Sequence, residues 1–371
     1  MGVNYRIRDL LYKHSLVVFR GIDRKNWDPA AQYKLTKMFD PSSESYGHGN
    51  NKTGAETKSI LHPDLKTIPS QPQVQLIGNG QHDDEYVTRG LPTPVPLKHP
   101  HHRTFHKEPV SLEDEKEGIT RFYRWHIDAA LYGLDPPVAT TLFALSVPQG
   151  PKQKLRYDDG TGDELEVPLG TTAFVSGKKM FDILSPEQKS FAVRAKVQYA
   201  PHPYVWMSPA AALSTGLGIH SDGKEMKREE LPPWSEDKIK VFPVTWKNPV
   251  TGDLHVQVHP CGAETIYVDA IPESSPLYGK PDQLYPEGGH ITDLKTVREI
   301  LYSIQRPGIA PGLVYAHDWQ EGDLCIFHNR GVLHTVVGAF TPEQKRAFWQ
   351  CNLAASYAPV GPDANDVKKY A

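Results

Sequence analysis

Cysteine is nearly absent from this chain: 371 residues hold only Cys261, Cys325 and Cys351. An odd number at these spacings fits neither a disulfide framework nor a zinc finger, so a reducing, cytoplasmic setting is the expectation. Long hydrophobic runs are missing as well. No stretch of about 18 apolar residues occurs, and the N-terminus has no signal-peptide h-region, so neither a membrane span nor a secretory leader is expected. Nor is there a surplus of one charge. Lys and Arg number 41 against 44 Asp and Glu, a formal net charge of -3, which supplies no field for nucleic acid or anionic lipid. Repeats and a clean domain boundary are also lacking, and a chain of this length can bury one substantial core. The simplest expectation is a single domain over residues 1–371 acting on a small molecule, with homo-oligomerisation left open.

What the chain does contain is a series of short apolar runs separated by Pro, Gly, Asn and Asp: "VQLIGNG", "TTLFALSVPQG", "HVQVHPCGAETIYVDA", "DLCIFHNRG" and "AFWQCNLAASYAP". This pattern predicts a mainly β fold of many short strands, a sandwich or barrel, with flanking helices. "SPEQKSFAVRA" carries a Ser cap, a Pro at the first helical position and a Gln at the third, and "TDLKTVREILYSIQ" has apolar residues at helical spacing. Val3, Ile7, Leu10 and Leu11 predict an opening helix that runs straight into the strand "LVVFRG". So abrupt a start raises the expectation of further residues before Met1. Residues 213–240 are polar, charged and turn-rich and read as a surface insertion or lid.

The chemistry starts at "RFYRWHIDAALY", residues 121–132. In an extended strand alternate side chains share a face, so His126 and Asp128 project together and can converge on one metal ion. A surface His-Asp hydrogen bond is the bland alternative. Later, "EGDLCIFHNRGVLHTVVGAF" embeds His334 among apolar residues, where a core histidine bonded to a backbone carbonyl is again the bland reading. Together, two histidines and one carboxylate on strands form the ligand set of a facial triad, which leaves three adjacent positions open on Fe(II). Zinc is normally closed by a fourth protein ligand or holds one water.

"WHID", "GTTAF" and "HNRGVLH", followed twelve residues later by Arg346, resemble the taurine dioxygenase family of Fe(II)/2-oxoglutarate dioxygenases. The similarity runs from "HSLVVFRG" through "NPVTGDLHVQVHP" to "AFWQCNLA". It implies a double-stranded β-helix, or jelly-roll, core. It also implies Fe(II) held by His126, Asp128 and His334, with 2-oxoglutarate and O2 as cosubstrates, Arg346 on the distal carboxylate and Thr172 assisting. The gap between the two histidines is long for the family, and the polar insertion accounts for it. A planar, permanently charged guanidinium suits this carboxylate. Arg330, in the "HNRG" turn, competes for that role but reads as structural.

Arg346, Phe348, Gln350 and Asn352 share one face of their predicted strand, with Cys351 pointing away. Amides offer donors and acceptors, so Gln350 and Asn352 suit the edge of a polar heterocycle. Gln73 and Gln75 repeat the pattern on an earlier strand, while Gln71 lies before Pro72 and outside the pairing. A wet sheet face is the competing explanation for such a pair. The set is similar to the fungal xanthine dioxygenases within the family, a resemblance that implies hydroxylation of xanthine at carbon 8 to urate with release of succinate and carbon dioxide. It further implies active-site roles for Lys98 in "LKHP" and for an acidic pair, here Glu113 and Asp114 of "LEDEKE". The histidines of "KHPHHRTFHK" lack the spacing of a preformed metal site, and His255 and His259 read as sheet packing. Two rival functions stand beside this one: the same chemistry on a sulfonate or other small organic acid, and a non-catalytic metal-binding jelly-roll sensor.

Overall fold

A computed structural model describes residues 2–43 and 66–371, the side chains from residue 6 onward. The expected opening helix spans Gly2–His14, and after Ser15, at φ 62°, the strand Leu16–Phe19 begins. Leu11 is buried, with Ile7 packed one turn before it, against Val138, Ala139 and Ile326. Leu10 turns outward instead, because the stripe that meets the sheet follows i and i+4 spacing. Val3's side chain lies outside the described residues.

That first strand joins a seven-stranded antiparallel sheet in the order Leu16–Phe19, Leu324–His328, Ala139–Ser146, Arg346–Asn352, Gln71–His82 and Lys66–Ile68, with Val95–Leu97 also on Gln71–His82. One face, through Leu142, Ala144, Phe327 and Phe348, packs on Phe174 and Val332 of a second sheet made of Tyr315–Ala316, Thr172–Ser176 and Val332–Val336. The other face, through Phe143, Leu145, Leu76 and Trp349, is covered by Trp27, Tyr33 and Leu35. Burial of both faces is why "AFWQCN" reads as a nearly continuous apolar run rather than an alternating one. Gln32, on the helix Pro29–Lys37, is fully buried and donates to the Trp349 carbonyl at 3.0 Å.

The two helices read from the sequence form at Pro186–Arg194, with the Ser185–Gln188 capping box in place, and at Leu294–Gln305 behind an Asp293 cap. Residues 213–240 carry short 3-10 turns, at Arg228–Glu230 and Glu236–Lys238, and isolated bridges at Ile219 and Ile239. They are nonetheless seated on the body. Leu217, Ile219 and Leu231 are buried, Glu225 pairs with Arg298 at 2.6 Å, and Arg228 pairs with Glu264 at 2.7 Å. The His126–Asp128 segment is not a regular strand as expected. It is extended chain tied by a single bridge to His334, with backbone hydrogen bonds of 3.0 Å in both directions.

Candidate active site

The bridge sets His126 beside His334 with ring centroids 4.2 Å apart. Asp128 Oδ1 lies 3.9 Å from His126 Nε2 and 3.6 Å from His334 Nε2, and the three ligand atoms fall within 4.8 Å of one another. Ligand bonds of about 2.1 Å at right angles separate neighbouring ligand atoms by about 3 Å, so a small contraction closes this set on an ion. Tautomer agrees with that role. His126 Nδ1 lies 2.9 Å from the Arg124 carbonyl and donates to it, which leaves the Nε2 lone pair facing the other two ligands. Burial, and then the neighbouring His334 ring, hold the His126 imidazole well below its ordinary pKa. Burial opposes ionisation of Asp128, but the adjacent imidazoles and the Thr140 hydroxyl, which donates to Oδ2 at 2.6 Å, outweigh it and hold the carboxyl below its ordinary range. His334 is wedged between Phe174 and Phe327, one from each sheet.

Arg346 opens the strand Arg346–Asn352. Its guanidinium stacks on Phe348 at 4.0 Å, donates to the Gly170 carbonyl at 3.3 Å and reaches Thr172 Oγ1 at 3.5 Å, and Trp319 Nε1 donates to the same hydroxyl at 3.2 Å. It is only 2 % exposed and has no acid partner among the described residues, and burial alone shifts its pKa downward. A guanidinium keeps its proton in proteins, so the cost of this burial is relieved by an incoming anion.

Beyond Phe348 on that face come Gln350, with Nε2 3.5 Å from both Asp128 oxygens, and Asn352, whose Oδ1 is buried without a hydrogen-bond partner among the described residues. Gln75 stands directly opposite Gln350 in the strand pair, and Gln73 lies two residues along the same face, where Gln71, which is paired with Ile68 within the strand and not outside it as expected, donates from its side-chain amide to the Gln73 side-chain Oε1. Gln350 therefore borders the carboxylate of the triad, with Asn352, Gln75 and Gln73 on the same face of the sheet. Cys351 faces the other way into the outer core.

The model of the "Taurine catabolism dioxygenase TauD, TfdA family" matches residues 4–352. The chain belongs to this family. Among its relatives, "Alpha-ketoglutarate-dependent xanthine dioxygenase xan-1" of Neurospora crassa is 54% identical over 97% of this chain and 81% of that protein. Emericella nidulans xanA, of the same description, is 55% identical over 95% and 89%, and Schizosaccharomyces pombe xan1 is 53% identical over 97% and 83%. A crystal structure of AAD-2 in complex with Mn(II) and N-oxalylglycine is similar in fold, with a TM-score of 0.51 at 15% identity over 97% of this chain and 89% of that one.

Other residues are expected in the site of this TauD, TfdA family member. Lys98 and Glu113 are exposed, and Asp114 pairs with Arg156 at 2.7 Å. Beside Lys98, His99 is the buried residue, edge-on to Phe340 and close enough to Arg346 for that charge to help depress its pKa after burial. His101, His102 and Glu115 also bring donor atoms within 4.8 Å. The Arg103 N–H donates to His101 Nδ1 at 3.1 Å, so Nε2 carries the proton and donates to Glu115 at 2.9 Å. Arg330 donates to the Pro136 and Tyr357 carbonyls, the structural role read from its turn.

Sequence reasoning missed several neighbours of the triad. Asn329, fully buried, accepts from the Asp128 N–H at 2.8 Å and donates back to the Asp128 carbonyl at 2.8 Å. The "HNRG" turn was visible, but nothing in it pointed to a partner 201 residues away. Thr140 was hidden in an apolar run, and Trp319 in the polar stretch "HDWQEG". His259 was expected to pack in the sheet, yet it lies past the end of the strand Leu254–Val256 with its ring 6.2 Å from that of His126. His255 does lie in that strand, with Nδ1 3.1 Å from the Gly331 carbonyl.

Proposed function

We propose that this chain is an Fe(II)- and 2-oxoglutarate-dependent dioxygenase that hydroxylates xanthine at carbon 8, built on a double-stranded β-helix core as one domain with residues 213–240 as a polar insertion. The observation that carries the reading is the row on the strand Arg346–Asn352: a buried guanidinium with no acid partner among the described residues at one end, and at the other Gln350 beside the Asp128 carboxylate with Asn352 next along the same face. Relatives 53–55% identical over nearly the whole chain bear xanthine dioxygenase names, which supports the choice of substrate.

His126, Asp128 and His334 would hold Fe(II), whose chemistry when bound couples oxidative decarboxylation of 2-oxoglutarate by O2 to insertion of one oxygen atom into a carbon–hydrogen bond. The balance is xanthine, 2-oxoglutarate and O2 in, and urate, succinate and carbon dioxide out. Arg346 anchors the distal carboxylate of 2-oxoglutarate with Thr172 beside it, a charge-assisted pair formed out of water. Phe348 and Trp319 keep that pocket dry, and Phe348 orients the guanidinium stacked on it. Gln350, Asn352, Gln73 and Gln75 hold the purine so that a single carbon is presented. Lys98, Glu113 and Asp114 are left out of this pocket because they are exposed or paired elsewhere.

One observation favours a second reading, the same chemistry on a sulfonate or other small organic acid: Arg124, near the triad, is a further cation with no acid partner among the described residues. The test separates the two. Iron-loaded protein is incubated with 2-oxoglutarate and xanthine, hypoxanthine, taurine or an aryloxyacetate, and succinate and urate are followed separately. Urate formed in step with succinate from xanthine is expected. Succinate formed only with an organic acid would leave the family chemistry standing and overturn the substrate.

A further inference from the structure

Arg124 and His259 form a wall of hydrogen-bond donors beside the triad that no step above uses. The Arg124 backbone is fixed on both sides, its N–H donating to Thr335 Oγ1 at 3.0 Å and its carbonyl accepting from His126 Nδ1. Its guanidinium lies over Tyr204 at 5.0 Å and over Phe105 and Tyr123 at 5.8 Å. Among the described residues it makes no ion pair or side-chain hydrogen bond, and its Nε is buried without an acceptor. Three aromatic rings orient the fork, and its hydrogen-bonding capacity is left over.

His259 repeats the pattern. It is fully buried, and its Nδ1 accepts from the Cys261 N–H at 3.3 Å. The proton is therefore on Nε2, which is buried with no acceptor among the described residues. The ring stands 5.5 Å from Tyr204 and 6.2 Å from His126, so both orphan donors border the same tyrosine next to the metal ligands. After burial, the Arg124 charge is the largest influence keeping His259 neutral, which fits their proximity. A buried donor without an acceptor costs free energy, and a ligand that supplies the acceptor recovers it.

Resting on the xanthine reading, we infer that Arg124, with the His259 Nε2–H beside it, determines specificity by binding the N7/O6 edge of the purine. Oxidation at carbon 8 puts the imidazole ring of xanthine nearest the metal ligands. N7 adjoins carbon 8, and the carbonyl oxygen on carbon 6 follows along the same edge. In the tautomer protonated at N9 that edge offers two acceptors and no donor. A guanidinium fork meets this pair bidentately, as arginine does on the same two atoms of guanine in a DNA groove. The pyrimidine side of xanthine, with its alternating N–H groups and carbonyl, needs donors and acceptors together, which the amides of Gln350, Asn352, Gln73 and Gln75 provide.

Equilibrium dialysis tests this without turnover. Anaerobic protein loaded with Fe(II) and 2-oxoglutarate is titrated with xanthine, with 7-methylxanthine, whose N7 is blocked, and with 2-hydroxypurine, which lacks the carbon-6 oxygen. Wild type should bind xanthine in preference to the other two. Arg124→Gln should weaken xanthine by about ten- to a hundredfold while changing the two analogues by less than about threefold, with iron and 2-oxoglutarate content unaltered. Arg124→Lys, which keeps the charge and loses the fork, should fall between, and it carries the same comparison if the glutamine variant loses iron. His259→Leu should also weaken xanthine, by a smaller factor. Unchanged xanthine binding in Arg124→Gln, or an equal loss of all three ligands, overturns the inference. Wild type that binds 2-oxoglutarate and none of the purines overturns the xanthine reading instead.

Discussion

Asn329 clamps Asp128 by its backbone, accepting from its N–H and donating to its carbonyl, each at 2.8 Å, while a second Asn329 donor bond goes to Pro137 at 3.0 Å. The amide thereby fixes where the carboxylate points without touching the carboxylate itself. Asn329→Ala is expected to lower metal affinity by about ten- to a hundredfold, as loss of an outer partner does, while His126→Ala, Asp128→Ala or His334→Ala abolishes tight Fe(II) binding. His255→Ala should keep full iron content. Metal titration of the five variants checks this, and wild-type affinity in Asn329→Ala would mean that the bridge to His334 alone holds Asp128.

Arg346 is buried without a counter-charge among the described residues, so its substitution should separate stability from function. Arg346→Met is expected to raise the 2-oxoglutarate requirement by the equivalent of about 2–5 kcal/mol with iron binding retained. The ligand-free variant should unfold at the same or a higher urea concentration, because a buried charge has been exchanged for an apolar chain. An unchanged half-saturation value would assign the anchoring role to another cation.

Gln350→Ala and Asn352→Ala should each reduce kcat/KM for xanthine roughly tenfold or more, since truncation strands a polar partner in a closed pocket. Half-saturation by 2-oxoglutarate should not move, because both residues lie beyond Phe348 from Arg346. Parallel loss of both parameters would place the amides in the cosubstrate pocket.

Acid should destabilise the protein through its buried neutral histidines. His106, whose Nε2 lies 2.8 Å from the Tyr123 carbonyl, is pushed by burial from 6.5 down to about 4. Between those values the unfolded chain holds the extra proton, so stability present above about pH 6.5 is lost as the pH falls toward 4, by roughly 3 kcal/mol at most for this one group. Urea midpoints from pH 7.5 to 4.5 should fall in wild type and fall less in His106→Asn. Parallel slopes in the two proteins would remove His106 from the account.

The His126–Asp128 pair and the row from Arg346 to Asn352 were legible in the sequence because each rests on short-range periodicity. His126 and Asp128 are two apart, as are Arg346, Phe348, Gln350 and Asn352, and alternation along extended chain fixes their faces whatever lies around them. The expectation survived even where the regular strand did not form. His259 shows the limit: the chain leaves the strand after Val256, and parity counted through His255 lost its meaning there.

By itself the sequence determined a β-rich fold and the shared faces of His126 with Asp128 and of Arg346 with Gln350 and Asn352, and its three cysteines are free and buried. These follow from patterns within a few residues, together with motifs whose order is preserved along the chain. Only the tertiary structure decided which polar groups lack partners. Arg124 and His259 are ordinary in sequence and acquire their meaning from Tyr204 and His126 packed beside them, as Asn329 does from Asp128. Whether a buried donor is satisfied depends on every neighbour the fold brings to it, and those neighbours come from distant parts of the chain.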